Sequence, residues 1–424
     1  MGLATRQKSP WLALVLLTGV ATIGFIDRIV VNVLVEPLKI EFNLTDTQVS
    51  LMGLAFAALN IIAGIGVARL AERMRRLTLI ASGTIIWSLA TAACGAVGSY
   101  AQLLVARVGV GIGEAIGLPG NQSVVADYFP ANRRGFAMSI LLLAPPVGAF
   151  IGFVGGGWIA QNYDWRLTFL LAAIPGLVLG VLVHLFIKEP PRGQHDADAS
   201  DDVPQISAVI RRFTLLPSAR HLIIGSTLAA TLGFGLNYFF TSLMMRRFEL
   251  EIGEAGLYAG LIASLPAAIS VVGSGWLADK FGAKRPGAYA FIPGICMLVG
   301  GPLYAFAILQ DDLNLLLGLV TISALLQFGY LGITFAAMQN LMHPRMRATA
   351  SALLNAIYAI AGAMGPIMLG WMSDTLEPRY DIAGYGLALA MSLLSLVYVW
   401  AGVHYLLASR HIGKDLQRTQ AGGI

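Results

Sequence analysis

The sequence predicts an all-α membrane protein whose twelve membrane-spanning helices form two six-helix pseudo-repeats. The first observation is composition. Of 424 residues, 57% are hydrophobic and only 12% charged, about half the ~25% charged usage of soluble domains. With a mean hydropathy of +0.73, such a chain would expose large apolar patches in water, so its solvent is lipid. The second observation is spacing: apolar segments of about 20 residues, the length that crosses a bilayer, recur twelve times. The third is that one longer polar connection divides them six and six.

The first segment starts near residue 10, behind MGLATRQKSP. That leader resembles a signal peptide, but no small-residue cleavage site follows and the apolar run continues to Asp27–Arg28, as a membrane helix does. Arg6 also breaks the myristoylation pattern. Five more segments start near 46, 77, 101, 135 and 166. The connection from 188 to 219 contains KEPPRGQHDADASDDVPQ, too polar to span, and then ISAVIRRFTLLPSARH, an amphipathic surface helix. Segments starting near 220, 254, 286, 313, 347 and 383 complete the second half. The expected domains are therefore 1–188, a cytoplasmic linker at 189–219, and 220–424.

Charge sets the orientation. With both termini cytoplasmic, the cytoplasmic connections and tails hold 21 of the 28 Lys/Arg, and the opposite side holds Lys39, Arg166, Arg246, Arg247 and Arg379. This is the positive-inside bias, and it predicts a multi-pass protein of the cell (inner) membrane. The net charge of +5 does not indicate nucleic acid, because the basic residues form no compact face with interleaved aromatics. Cys94 and Cys296 each sit in an apolar run, so neither a disulfide nor a metal site is expected, and no cofactor.

The halves repeat. ARLAERMRRL (68–77) follows the second segment as GWLADKFGAK (275–284) follows the eighth; FPANRRG (129–135) precedes the fifth as HPRMRA (343–348) precedes the eleventh. Pro130 to Pro344 and Gly148 to Gly362 are both 214 residues apart. Duplicated six-helix halves are the architecture of alternating-access transporters. GWLADKFGAK resembles the G-x-L-A-D-R-x-G-R-K loop signature of the major facilitator superfamily, and the resemblance covers essentially the whole chain. The first copy departs from it at Ala68, Glu72 and Arg75. DRIVVN (27–32) with RVGVGIGEA (107–115) is similar to the spinster branch. The resemblance implies the major facilitator fold and a proton-coupled transporter of lysolipid or sphingoid-type amphiphiles.

After the loops are counted, four charges remain inside spans: Asp27 and Arg28 on the first, Arg107 and Glu114 on the fourth. A charge near the bilayer centre costs at least ~2.5–3.5 kcal/mol on insertion scales and marks function by default. Asp27 and Arg107 lie at nearly matching depths, at ~1.5 Å per residue. Arg107 and Glu114 are two turns apart, on one face. Asp27 and Arg28 point about 100° apart, so one faces the fourth helix while the other lines a cavity. A structural lock between the two helices is the competing reading, but buried ion pairs are poor stabilisers. A carboxylate that burial makes reluctant to ionise, and that a movable arginine stabilises when ionised, can load and release a proton. The spinster resemblance implies that role for Asp27, Arg28, Arg107 and Glu114.

The fourth segment reads RVGVGIGEAIGLPG (107–120). Its five glycines fit no G-x-G-x-x-G window and no strand-turn-helix context; they allow close helix approach, with Pro119 permitting a bend. Asn237, Tyr238, Gln327, Tyr330, Asn355 and Tyr358 are polar positions that serve either substrate contact or interhelical hydrogen bonding. Glu72, Arg73, Asp127, Arg133 and Arg134, and in the second half Asp279, Lys280, Lys284, Arg345 and Arg347, are placed for cytoplasmic staples; the superfamily resemblance makes them a gate. His184, His221 and His404 fall near helix ends, an interfacial setting, while GAFIG (148–152) and GLYAG (256–260) are small-residue packing faces.

Other readings of the same residues compete. A proton-coupled symporter of small organic anions such as sugar acids suits Arg28 equally well. A membrane receptor or scaffold would need sizeable soluble domains or long tails, whereas the tails here run to about ten and fifteen residues, and no Ser/His/Asp, HExxH or Walker A motif supports an enzyme or ATP drive. The expected partners are an amphiphilic small molecule or lipid, protons and membrane lipid, with the protein a monomer.

Overall fold

Lipid offers the backbone no hydrogen-bond partner, so a spanning segment satisfies its own N–H and C=O groups by forming a helix. The computed structural model describes residues 9–117, 120–191, 206–282, 285–343 and 346–420, and among them there is no strand. The chain divides into two compact units. Unit one is Met1–Leu44, Leu51–Ala199 and Glu251–Gly260; unit two is Thr45–Ser50, Ser200–Leu250 and Leu261–Ile424.

The helices of the first half are α1 (Pro10–Val33), α2 (Val35–Phe42), α3 (Asp46–Arg73), α4 (Arg76–Cys94), α5 (Tyr100–Gly117), α6 (Gly120–Tyr128), α7 (Ala131–Leu141), α8 (Ala144–Asn162) and α9 (Trp165–Phe186). Those of the second half are α10 (Ile206–Leu215), α11 (Pro217–Phe248), α12 (Ile252–Gly282), α13 (Ala288–Ala307), α14 (Leu313–Gln327), α15 (Tyr330–Leu341), α16 (Arg347–Leu376), α17 (Tyr385–Ser395) and α18 (Val397–Gln420). Among the described residues, eleven stretches are long and apolar enough to cross a membrane. The 28-residue α3 occupies the place where the sequence predicts the remaining span. Observed and predicted starts agree closely.

The repeat is visible inside each unit. In unit one, α4 packs on α5 and α9, and α1 on α8 and α9. In unit two, α13 packs on α14 and α18, and α11 on α16 and α18. These are the same four pairings, shifted by six spans.

Several spans are broken into two helices. The tenth is interrupted at Phe328–Gly329, where an added Cβ on Gly329 would lie 2.8 Å from the Ser274 side chain. The carbonyls beside the break are not orphaned: Ser274 donates to Gly329 at 2.8 Å and Ser270 to Leu325 at 2.7 Å. Serine hydroxyls thus replace bonds that the interrupted ladder gives up, as lipid requires.

Polar side chains close the ends of both units. In unit one, Arg76 donates to Glu189 at 2.8 Å and to Asp127 at 2.5 Å, and Glu189 accepts the Leu77 N–H at 2.9 Å. A carboxylate at a helix N-terminus satisfies a free donor and meets the positive end of the helix dipole. In unit two, Asp374 does the same for α3, accepting the N–H groups of Asp46 and Thr47 at 2.8 Å each. Arg246 grips the Asp46 carboxylate with two bonds of 2.6 and 2.7 Å. The amphipathic helix α10 is held in unit two by Arg212, which donates to the Leu341 carbonyl at 3.0 Å and to Thr419 at 2.8 Å.

Candidate functional site

The four charges of the membrane interior meet in unit one, where α1 supplies Asp27 and Arg28 and α5 supplies Arg107 and Glu114. Arg28 pairs with Glu114, its Nε at 3.0 Å and its Nη2 at 2.5 Å from the same Oε2 atom. Glu114 has a side-chain exposure of 0%, whereas Arg28 shows 38%. Arg107 is buried, and its Nη1 donates to the backbone carbonyl of Asp27 at 3.5 Å. The Asp27 carboxylate is also buried and takes no direct hydrogen bond from an ionised partner. It lies within the fields of Arg107, Arg28 and Glu114, and beside Thr91 of α4.

The sequence brings these four residues to one level, and the structure decides which partners which. Depth matching placed Asp27 opposite Arg107, and the two do adjoin, through the Asp27 backbone. The side-chain ion pair is Arg28–Glu114. Arginine's length and fork of donors let Arg28 reach a carboxylate that backbone geometry alone does not assign to it. Sequence reasoning missed an aromatic member: the ring of Phe56 on α3 lies 5.3 Å from the guanidinium carbons of both Arg28 and Arg107.

Two glycines of the RVGVGIGEAIGLPG stretch explain how α5 comes so close. A Cβ on Gly111 would sit 2.3 Å from the Phe56 carbonyl oxygen, and one on Gly113 would sit 2.5 Å from the Trp87 backbone nitrogen. Each faces a backbone atom, which cannot swing aside. Gly113→Ala is therefore expected to push α4 and α5 apart and to destabilise the protein by about 1–3 kcal/mol, the usual cost of overpacking. Thermal unfolding of the purified protein checks this, and an unchanged melting temperature would contradict it. Pro119 lies outside the described residues.

The other sequence candidates divide. Tyr238 donates to the Val49 carbonyl at 2.8 Å, and Gln327 donates to the Gly300 carbonyl at 3.0 Å and to Ser323 at 2.7 Å. The bonds to Val49 and Gly300 join helices, and the bond to Ser323 lies within α14. Tyr330 is buried, Asn237 is half-buried and Asn355 is exposed. Tyr358 packs edge-on against Phe335, its hydroxyl buried without a hydrogen bond. Among the staple residues, Asp127 is held by Arg76, and Arg134 donates to the Phe129 carbonyl at 3.4 Å. Arg133 is exposed. Lys280 lies 4.7 Å from the Trp276 ring and Arg347 donates to the Gln339 carbonyl at 3.0 Å. Lys284 and Arg345 lie outside the described residues, as do the side chains of Glu72, Arg73 and Asp279. Arg76 and Glu189 were not singled out in the sequence; the signal was a glutamate directly after the sixth span. His221 and His404, read only as interfacial, face each other with Nδ1 atoms 2.9 Å apart.

A duplicated helical unit with charges buried between its first and fourth spans now has a family to be compared with. The sequence profile of the Major Facilitator Superfamily matches residues 16–366. The chain belongs to the major facilitator superfamily. A superfamily relative, the MFS-type efflux pump of Mycolicibacterium smegmatis, is 30% identical over 417 residues, covering 96% of this chain and 95% of the relative. The hexuronate transporter of Bacillus subtilis is 23% identical, covering 93% and 95%. The crystal structure of a bacterial homolog to the human lysosomal transporter spinster superposes with a TM-score of 0.86 at 28% identity, covering 96% of this chain and 98% of that one. Within the superfamily the chain falls in the spinster branch, as DRIVVN and RVGVGIGEA indicated.

Proposed function

We propose that this protein is a proton-coupled secondary transporter that moves an anionic amphiphile, a lysophospholipid or sphingoid-type lipid, by alternating access. The observation that carries the reading is the asymmetry of the Arg28–Glu114 pair. Arg28 is part-exposed while its partner is fully buried. An anionic head group can recruit Arg28 only by taking it from Glu114. A carboxylate left alone in a buried site is far cheaper to protonate than to keep charged. Anion capture and proton uptake thereby become one event, and release of the proton returns Arg28 to Glu114 and lets the anion go. Asp27, with Arg107 as its adjacent cation, is a second proton acceptor in the same unit. Both termini are assigned to the cytoplasm by the positive-inside bias, and the membrane to the cell (inner) membrane.

An amphiphile fits better than a sugar acid because the four mid-span charges, Asp27, Arg28, Arg107 and Glu114, all lie in unit one. In unit two, Tyr238 and Gln327 spend their donors on neighbouring oxygens of the protein. A sugar acid wants polar partners all round, whereas an alkyl tail wants none. The alternative, symport of small organic anions, uses the same Arg28–Glu114 exchange and is favoured by the full-length likeness to the hexuronate transporter.

Ligand-induced stabilisation of the purified protein tests the choice. Each buried methylene contributes about 0.8 kcal/mol, so affinity should rise about fourfold per carbon. Alkyl phosphates and single-chain phospholipids, kept below their micelle-forming concentrations, are expected to raise the melting temperature progressively with chain length, while gluconate and glucuronate do little. Stabilisation by the hydrophilic acids, with no dependence on chain length, would establish the anion symporter instead.

A further inference from the structure

We infer that Phe56 is a positioning residue of the coupling site: its ring assigns Arg28 to Glu114 and Arg107 to Asp27. This rests on the coupling reading above and adds a member to it. Four charges packed this closely have more than one way to pair. The fields of both arginines act on both carboxylates, and a state with both arginines on one acid would leave the other buried and charged. The guanidinium carbons of Arg28 and Arg107 are each 5.3 Å from the Phe56 centroid. The electron-rich face of a ring attracts a cation, so each arginine gains a second contact in addition to its bond to an oxygen. A shared ring thereby tethers two like charges that would otherwise repel.

The ring is itself held in place. The Phe56 carbonyl is the atom that Gly111 accommodates, and one turn further along α3 the Asn60 side chain donates to the Gly111 carbonyl at 3.0 Å. The contact between α3 and α5 thus sets the level of the ring against both arginines. Arg28 has a further ring, Phe25 on its own helix, also at 5.3 Å. Among the described residues, Phe56 alone is placed against both arginines. A merely space-filling role would be met equally by leucine.

Phe56 acts through the arginines. Arg28, held against Glu114, favours the charged carboxylate. The other charges acting on Glu114 are Arg107 of its own helix and Asp27 of α1; α4 brings only Cys94, beside Arg107 and Asp27. Without the ring, Arg28 spends less time on Glu114, and the carboxylate keeps its proton to higher pH.

Full-length protein carrying Phe56→Leu or Phe56→Tyr provides the test, with dodecyl phosphate as the probe. The cation–ring contact is worth roughly 1–2 kcal/mol when desolvated, or about five- to thirtyfold at 1.36 kcal/mol per tenfold. Phe56→Leu is expected to move the pH midpoint of probe binding upward by about one unit, with its limiting low-pH affinity weakened about five- to thirtyfold. Phe56→Tyr, which keeps the ring, should restore both. The proposal is overturned if Phe56→Leu is folded, by an unchanged melting temperature, and binds with the wild-type midpoint. It is equally overturned if Leu and Tyr shift the midpoint alike. Binding that does not vary with pH even in the wild type overturns the coupling reading itself, a result distinct from the other two.

Discussion

Glu114→Gln is expected to abolish uptake driven by a pH gradient while leaving a folded protein that binds its anion at every pH. Glutamine has the shape of the carboxylic acid and cannot ionise. In the native protein Arg28 gives Glu114 a two-donor, charge-assisted contact, of the kind worth about 1.5–3 kcal/mol. An amide oxygen holds a guanidinium less strongly. Arg28 becomes available to an incoming anion without a proton being taken up, and affinity at neutral pH should rise roughly ten- to hundredfold. Exchange of labelled for unlabelled substrate across proteoliposomes should persist, because it needs no net proton movement. The decisive measurement is gradient-driven uptake by the reconstituted variant. A wild-type rate would remove Glu114 from the coupling step.

Arg107→Ala should be the most destabilising change in the site. Arg107 is 3% exposed and stands next to an Asp27 that is 0% exposed. Removing one member of a buried charge set typically costs about 3–5 kcal/mol, because the remaining charge loses its compensation. Asp27 escapes that cost by taking a proton, and protons are more available at low pH. The destabilisation is therefore fully present at high pH and shrinks as pH falls, giving a melting temperature that converges on the wild type in acid. Any residual transport should have its optimum displaced upward, since Asp27 holds its proton longer. Arg107→Lys restores the charge, though not the fork, and should recover stability before activity. Melting curves across pH check the claim, and equal stability of wild type and variant throughout would make Arg107 a bystander.

Much of this arrangement was legible in the residues. Apolar length located the spans because a bilayer has a fixed thickness and a helix a fixed rise. The repeat was legible because loop motifs recur at a constant offset. The four charges stood out because lipid makes every buried charge conspicuous. What the sequence could not give was pairing. Depth along an axis ignores helix rotation and side-chain reach, and both are needed to see that Arg28, not Arg107, carries the side-chain ion pair with Glu114. Arg76 and Glu189 are 113 residues apart, and no periodicity connects them. Phe56 was hidden for the opposite reason: one phenylalanine in an apolar helix carries no signal until the cations beside it are placed. In the second half, Tyr238 and Gln327 read alike in the sequence as serving either substrate contact or interhelical hydrogen bonding, and only the positions of the Val49 and Gly300 carbonyls show where their donors go.

The anchoring of the central connection bears on how such a protein could be divided. Arg76 fastens Glu189, and through its 3.2 Å bond to the Pro190 carbonyl also the chain just beyond it, to the first half. Arg212 fastens α10 to the ends of α15 and α18 in the second. Each half keeps its own end of the connection, so continuity of the peptide between them is not what gives either half its shape. A gene cut there would encode two polypeptides that still need each other, because Asp374 and Arg246 of the second hold the Asp46 end of α3 in the first.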